Sequence, residues 1–126
     1  MTILTTIILL VLSLFGGLVL NNTNTTQQRA DDTMIRSDIN AVFQKLEEHY
    51  NENGDYPTLK QLTERGADVL PGINPEALID KYGVALWEQD SLYTYEPSDC
   101  GAIGCSSYTI SSTLSSGEQY EKYSLN

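Results

Sequence analysis

Few side chains in this 126-residue chain have the types and spacing to do chemistry. Cys100 and Cys105 stand beside Gly101 and Gly104. A zinc site needs a second cysteine pair or nearby histidines, and the only histidine, His49, lies far upstream. Behind a leading apolar segment, the two cysteines read as an extracytoplasmic disulfide. Closing so short a loop contributes about 2 kcal/mol on the chain-entropy account. His49 has no Ser or Cys nucleophile pattern around it, so it reads as a surface or rim residue. The acid pairs Asp31-Asp32 and Glu47-Glu48 read as a solvated helix face. Asp90 and Asp99 lack regular calcium-ligand spacing, and no Gly-rich phosphate loop occurs. No catalytic, cofactor-binding or metal residues are assigned, and an enzyme is the least favoured reading.

Net charge is −10, and the seven basic residues are scattered rather than gathered into a stripe. Nucleic-acid binding by the isolated subunit is disfavoured on both counts. The length allows one small domain, which needs support beyond its own core.

The elements that position these residues begin with Met1–Leu20, which carries no charge and is about as long as a membrane-crossing helix. It offers no basic n-region, and no alanine occurs before Ala30, so a cleaved secretory signal fits poorly. The basic flank of a simple anchor is missing as well. Removal of an earlier basic leader, with Met1 as the mature N-terminus, reconciles these features. Gly16, Gly17, Asn21, Asn22 and the Asn/Thr residues to Thr26 together disfavour helix by about 5 kcal/mol. They predict an unwound stretch between Gly16 and Gln28.

Ile35, Ile39, Val42, Leu46 and Tyr50, with Phe43, form the apolar stripe of a helix over 29–53. Asp32 stands four residues before Arg36, which suits a weak surface pair. Asn53-Gly54 ends the helix. Thr58 with Gln61 is a capping box for a short helix through Leu59 and Leu62. Asn74-Pro75-Glu76 starts a second short helix, closed by Asp80–Gly83. Three strands are predicted: 92–96, 107–114 with Tyr108, Ile110 and Leu114 on one face, and 119–125 with Tyr123 and Leu125 on one face. The tyrosines suit half-buried sites with a wet hydroxyl. The fold class is α+β: a long N-terminal helix, apolar then amphipathic, packed on a small three-stranded antiparallel sheet. An apolar segment (1–28) leads into a soluble head (29–126), whose parts are the amphipathic helix 29–53, a loop region 54–90 and a sheet region 91–126.

The apolar-to-amphipathic helix, followed by LEEHYNENGDYPTLKQL and LPGINPEALIDKYG, resembles the type IV pilin and major pseudopilin family. The resemblance implies a leader cut just before the apolar helix, methylation at Met1, and a pilin-like fold. It also implies a filament core built from Ile3, Leu4, Thr5, Ile7, Ile8, Leu10, Val11, Leu14, Phe15 and Leu18. The family usually carries glutamate at the fifth mature position; here Thr5 offers only a neutral hydrogen bond. The implied function is a structural subunit, the major pilin of a surface pilus used for adhesion, twitching motility or DNA uptake. Its implied partners are other copies of itself, the membrane before assembly, a prepilin peptidase and a pilus assembly platform. The implied location is the inner membrane, then the cell surface. The alternatives are a pseudopilin of a type II secretion system and a monomeric membrane-anchored binding module.

Overall fold

The computed structural model describes residues 25–126 in full, and of 2–24 only that they belong to the first helix. That helix, α1, runs Thr2–Asn53. The fully described part of the stretch expected to unwind, Thr25–Gln28, is helical, which corrects the expectation there. The physical reason is that poor helix formers tax a helix without severing its hydrogen bonds. Proline would sever them, and the first proline is Pro57. The Gln27 side-chain amide also donates to Asp31 at 2.9 Å, and the Thr33 hydroxyl donates to the Arg29 carbonyl at 2.8 Å. Of Gly16, Gly17, Asn21 and Asn22 nothing is described beyond their place in α1.

Ile35, Ile39, Val42 and Leu46 are buried along one face of α1, and Tyr50 and Phe43 pack beside them. Gly54 turns the chain in the left-handed region, at φ 81°. Thr58 then opens α2 (Leu59–Arg65) with the expected capping box: its hydroxyl accepts from Gln61 N–H, and the Gln61 side chain accepts from Thr58 N–H. Leu62 is the residue of α2 that reaches the core, whereas Leu59 is 42% exposed. A 3₁₀ turn follows at Gly66–Val69. The helix expected at Pro75 is a second 3₁₀ turn, Pro75–Leu78, capped by Asn74. It buries Ala77 and Leu78 and leaves Ile79 38% exposed.

Three antiparallel strands complete the fold in the order β1-β2-β3: β1 Tyr93–Cys100, β2 Cys105–Thr113 and β3 Gln119–Tyr123. The first hairpin extends further than predicted because Cys100 and Cys105 are paired residues at its end and are joined by the disulfide. β2 buries Tyr108, Ile110 and Ser112, and Leu114 just past its end, so its period-2 face is as expected; Cys105 is buried out of that phase. β3 is a correction. Tyr123 is 61% exposed and Leu125 73%, while Tyr120 and Lys122 are partly buried on the other face. Lys122 lies over Phe43 at 5.6 Å and Arg36 over Tyr120 at 5.0 Å, so two cations shield the edge of the helix–sheet seam. The expected Asp32–Arg36 pair is replaced by bonds from Asp32 to Ser115, at 2.9 Å to its N–H and 2.8 Å to its hydroxyl.

The disulfide hairpin is locked to the end of α1. Tyr56 and Cys105 exchange backbone hydrogen bonds of 2.9 and 2.8 Å. A Cβ on Gly104 would lie 2.2 Å from Cγ of Asp55, so only glycine lets these segments close. Gly104→Ala should lower stability by about 1–3 kcal/mol through overpacking. Gly101→Ala, whose added methyl meets no atom closer than 3.9 Å, should change little. Urea midpoints of the two variants check this contrast.

Candidate functional site

Glu47 follows the apolar Leu46 and was expected on a solvated face. It is instead buried, at 9% exposure. The Tyr56 hydroxyl donates to both of its oxygens, at 3.1 and 2.9 Å. The Tyr108 hydroxyl donates at 2.8 Å and the Leu125 N–H at 3.2 Å. The Asn126 amide donates to the Tyr56 hydroxyl at 3.2 Å, closing the cluster. The Tyr56 and Tyr108 rings meet edge to face at 4.7 Å. One carboxylate thus holds α1, the turn after it, the central strand and the chain's last residues together. A signal was legible: Glu47 stands at i+4 from Phe43 and i−3 from Tyr50, on the flank of the apolar stripe.

The same device recurs along α1. The Tyr93 hydroxyl donates to Asp38 at 2.6 Å, and the Tyr120 hydroxyl to Asn40 at 2.9 Å. Tyr95 donates to the Pro57 carbonyl at 2.7 Å. These hydroxyls are bound to protein acceptors, so the expectation of wet hydroxyls is corrected for Tyr56, Tyr93, Tyr95 and Tyr108, all nearly fully buried. Burial pushes Tyr93, Tyr95 and Tyr108 far above the ordinary phenol pKa; for Tyr93 and Tyr108 the neighbouring carboxylates Asp38 and Glu47 add to it.

Asp80 is the second buried carboxylate, at 4% exposure. One oxygen accepts from Tyr82 N–H at 2.9 Å and Val84 N–H at 3.0 Å; the other accepts from Leu92 N–H at 2.8 Å. Burial pushes its pKa up, but these backbone donors and nearby Lys81 outweigh that and hold it below the usual aspartate value. The Asp80–Gly83 segment is therefore the organiser of the loop leading into β1.

The other singled-out residues divide cleanly. Cys100 and Cys105 form the expected disulfide, with Cα atoms 3.9 Å apart. His49 is a rim residue, with Nδ1 2.8 Å from the Asp55 carbonyl. It lines a cleft of about 260 Å³ with Lys45, Glu48, Arg65 and Asp68, where Lys45 is already paired with Glu48 at 2.9 Å. No group of three or more His, Cys, Asp or Glu among the described residues could hold a metal, and Asp90 and Asp99 join no such group. Among the described residues no helix is long and apolar enough to cross a membrane. Met1 and the residues assigned to a filament core (Ile3, Leu4, Thr5, Ile7, Ile8, Leu10, Val11, Leu14, Phe15, Leu18) lie outside the described residues. Compared with known proteins, the chain matches no family model, no curated protein and no solved structure.

The buried seam sets two expectations. Glu47→Ala strands two buried hydroxyls and should cost about 3 kcal/mol, whereas Glu47→Gln keeps an acceptor and should cost less than half of that. Chemical denaturation of both variants measures the difference. The tyrosines also make stability alkali-sensitive. A phenol whose pKa is raised in the folded state contributes fully below its unfolded value near 10 and loses that contribution as pH rises further. With Tyr93, Tyr95 and Tyr108 all held neutral, stability should fall by about 4 kcal/mol per pH unit above pH 10. The phenolate absorbance of these three buried tyrosines should appear in one cooperative step with unfolding.

Proposed function

We propose that this chain is a structural subunit of a type IV pilus-like filament, with no catalytic role and no cofactor. The observation that carries the proposal is how α1 leaves the head. The head grips α1 from Asp31 and Asp32 to its end. Just before that grip, Thr25–Ala30 is helical and exposed on every side. The sequence preceding this exposed turn includes the uncharged Thr2–Leu20, which as a helix measures about 29 Å, close to the thickness of a bilayer's hydrocarbon core. A disulfide-pinned head on one end of a protruding helix suits a subunit that anchors first and polymerises later.

In this reading Met1 is the processed and methylated N-terminus, cut by a prepilin peptidase. Ile3 to Leu18 pack against other copies in the filament core, and the acidic heads face outward. The subunit waits in the inner membrane and leaves it through an assembly platform. Thr5 gives the N-terminal contacts a neutral hydrogen bond in place of a carboxylate–amine ion pair, so register rests on apolar packing. Helices gain little from each other while in lipid, so extraction by an energy-driven platform is the step that makes assembly possible.

Intact-mass analysis of the protein from its own cells should find Met1 N-methylated, and deletion of the gene should remove a class of surface filaments seen by electron microscopy. An unmethylated, uncut chain together with unchanged filaments would overturn the proposal and favour a monomeric anchored module. Methylation with only a short periplasmic stub would favour the secretion-system pseudopilin.

A further inference from the structure

The loop between the Asp80 cluster and β1 carries the only tryptophan of the chain, Trp87. It is half-buried, and the six-membered edge of its indole rests over Gly66, where an added Cβ would sit 3.6 Å from the ring. The ring lines a second cleft, of about 170 Å³, bounded by Leu59 and by the start of β1. Three polar side chains, Glu88, Gln89 and Thr94, line the same cleft and are exposed. Among the described residues, neither these three side chains nor the indole N–H has a hydrogen-bond partner, and no buried polar atom is left unsatisfied. The cleft thus pairs an aromatic and aliphatic wall with three exposed polar side chains.

That combination is unlike the buried seam, where the hydroxyls of Tyr56, Tyr93 and Tyr108 are taken up by Glu47 and Asp38. It matches a ligand that is itself two-sided, with a C–H face and a ring of hydroxyls. The volume is below that of a site for a drug-sized molecule and has room for about one six-membered sugar ring. Glu88 within the cleft and the net charge of −10 oppose an anionic sugar. We infer that the Trp87 cleft binds one neutral pyranose residue of a glycan. The C–H face of the sugar lies on the indole and Leu59, and its hydroxyls bond to Glu88, Gln89 and Thr94. The inference is independent of polymerisation, because every residue it uses belongs to the head.

The single tryptophan makes the test direct. The full chain in a phosphocholine detergent, chosen because it carries no sugar, is titrated with the methyl glycosides of glucose, galactose and N-acetylglucosamine, and with sialyllactose. Trp87 fluorescence and its indole N–H resonance report binding. At least one neutral glycoside should shift both signals saturably, with a Kd of about 1 mM, as few contacts on an open site allow. Gln89→Ala and Glu88→Gln are exposed substitutions that leave the fold intact, and each should weaken binding by about 3- to 10-fold. Sialyllactose should bind more weakly than the best neutral glycoside. Absence of any saturable shift up to about 50 mM, a shift indifferent to both substitutions, or preference for sialyllactose would each overturn the inference.

Discussion

A buried tyrosine hydroxyl must find an acceptor, and this requirement shapes the head more than any other. Removing such a group from water without a partner costs about 1–3 kcal/mol. Four tyrosines enter the core with nearly complete burial. Their rings supply apolar area that a domain this small otherwise lacks. Their hydroxyls then demand polar groups on the facing helix, and α1 provides Asp38 and Glu47 in places where a simple amphipathic helix would have leucine. Register follows from that. An apolar stripe can slide by a turn and still bury itself, but hydroxyls aimed at particular carboxylates cannot.

The two buried carboxylates solve different problems with the same chemistry. Glu47 collects two tyrosine hydroxyls and the Leu125 N–H from separate parts of the chain, so its bonds join elements. Asp80 collects backbone donors from its own loop, so its bonds fold a segment that has almost no regular structure. With Asp80 in place the loop is rigid enough to deliver Leu86 to the core and to hold Trp87 over Gly66. An ordered surface is thereby built from turns alone.

Much of the fold was legible in the sequence because its signals were local. The stripe of Ile35, Ile39, Val42 and Leu46, the Thr58–Gln61 box and the alternation of Tyr108, Ile110 and Leu114 each depend on neighbours within a few residues. What escaped depends on partners far along the chain. Glu47 looks like a surface acid until Tyr108 arrives 61 residues later. Asp32 looks like a partner for Arg36 until Ser115 offers two donors at once, and Arg36 turns to Tyr120. Which face of β3 turns inward was not legible, because Tyr120, Lys122, Tyr123 and Leu125 all carry apolar atoms. Periodicity cannot rank them without the helix they meet. The Trp87 cleft was invisible for the same reason, as its walls come from two segments far apart in sequence, Leu59 and the stretch from Leu86 to Tyr95.

The ties at the exit of α1 connect the head to whatever the helix does beyond it. Asp32 accepts from both polar groups of Ser115, which stands at the start of the β2–β3 turn. One residue earlier, Asp31 receives Lys81 from the loop on the other side, at 3.0 Å. The two ties flank the helix from different elements, one from the β2–β3 turn and one from the Asp80 loop. Neither alone is strong at an exposed position. Together they oppose rotation of the helix about its own axis. The apolar core below them, from Ile35 onward, opposes tilting. A helix fixed in both senses at its exit transmits the orientation of the head to the residues before it. That is the mechanical requirement for any assembly in which helices pack inside and heads must fall into register outside.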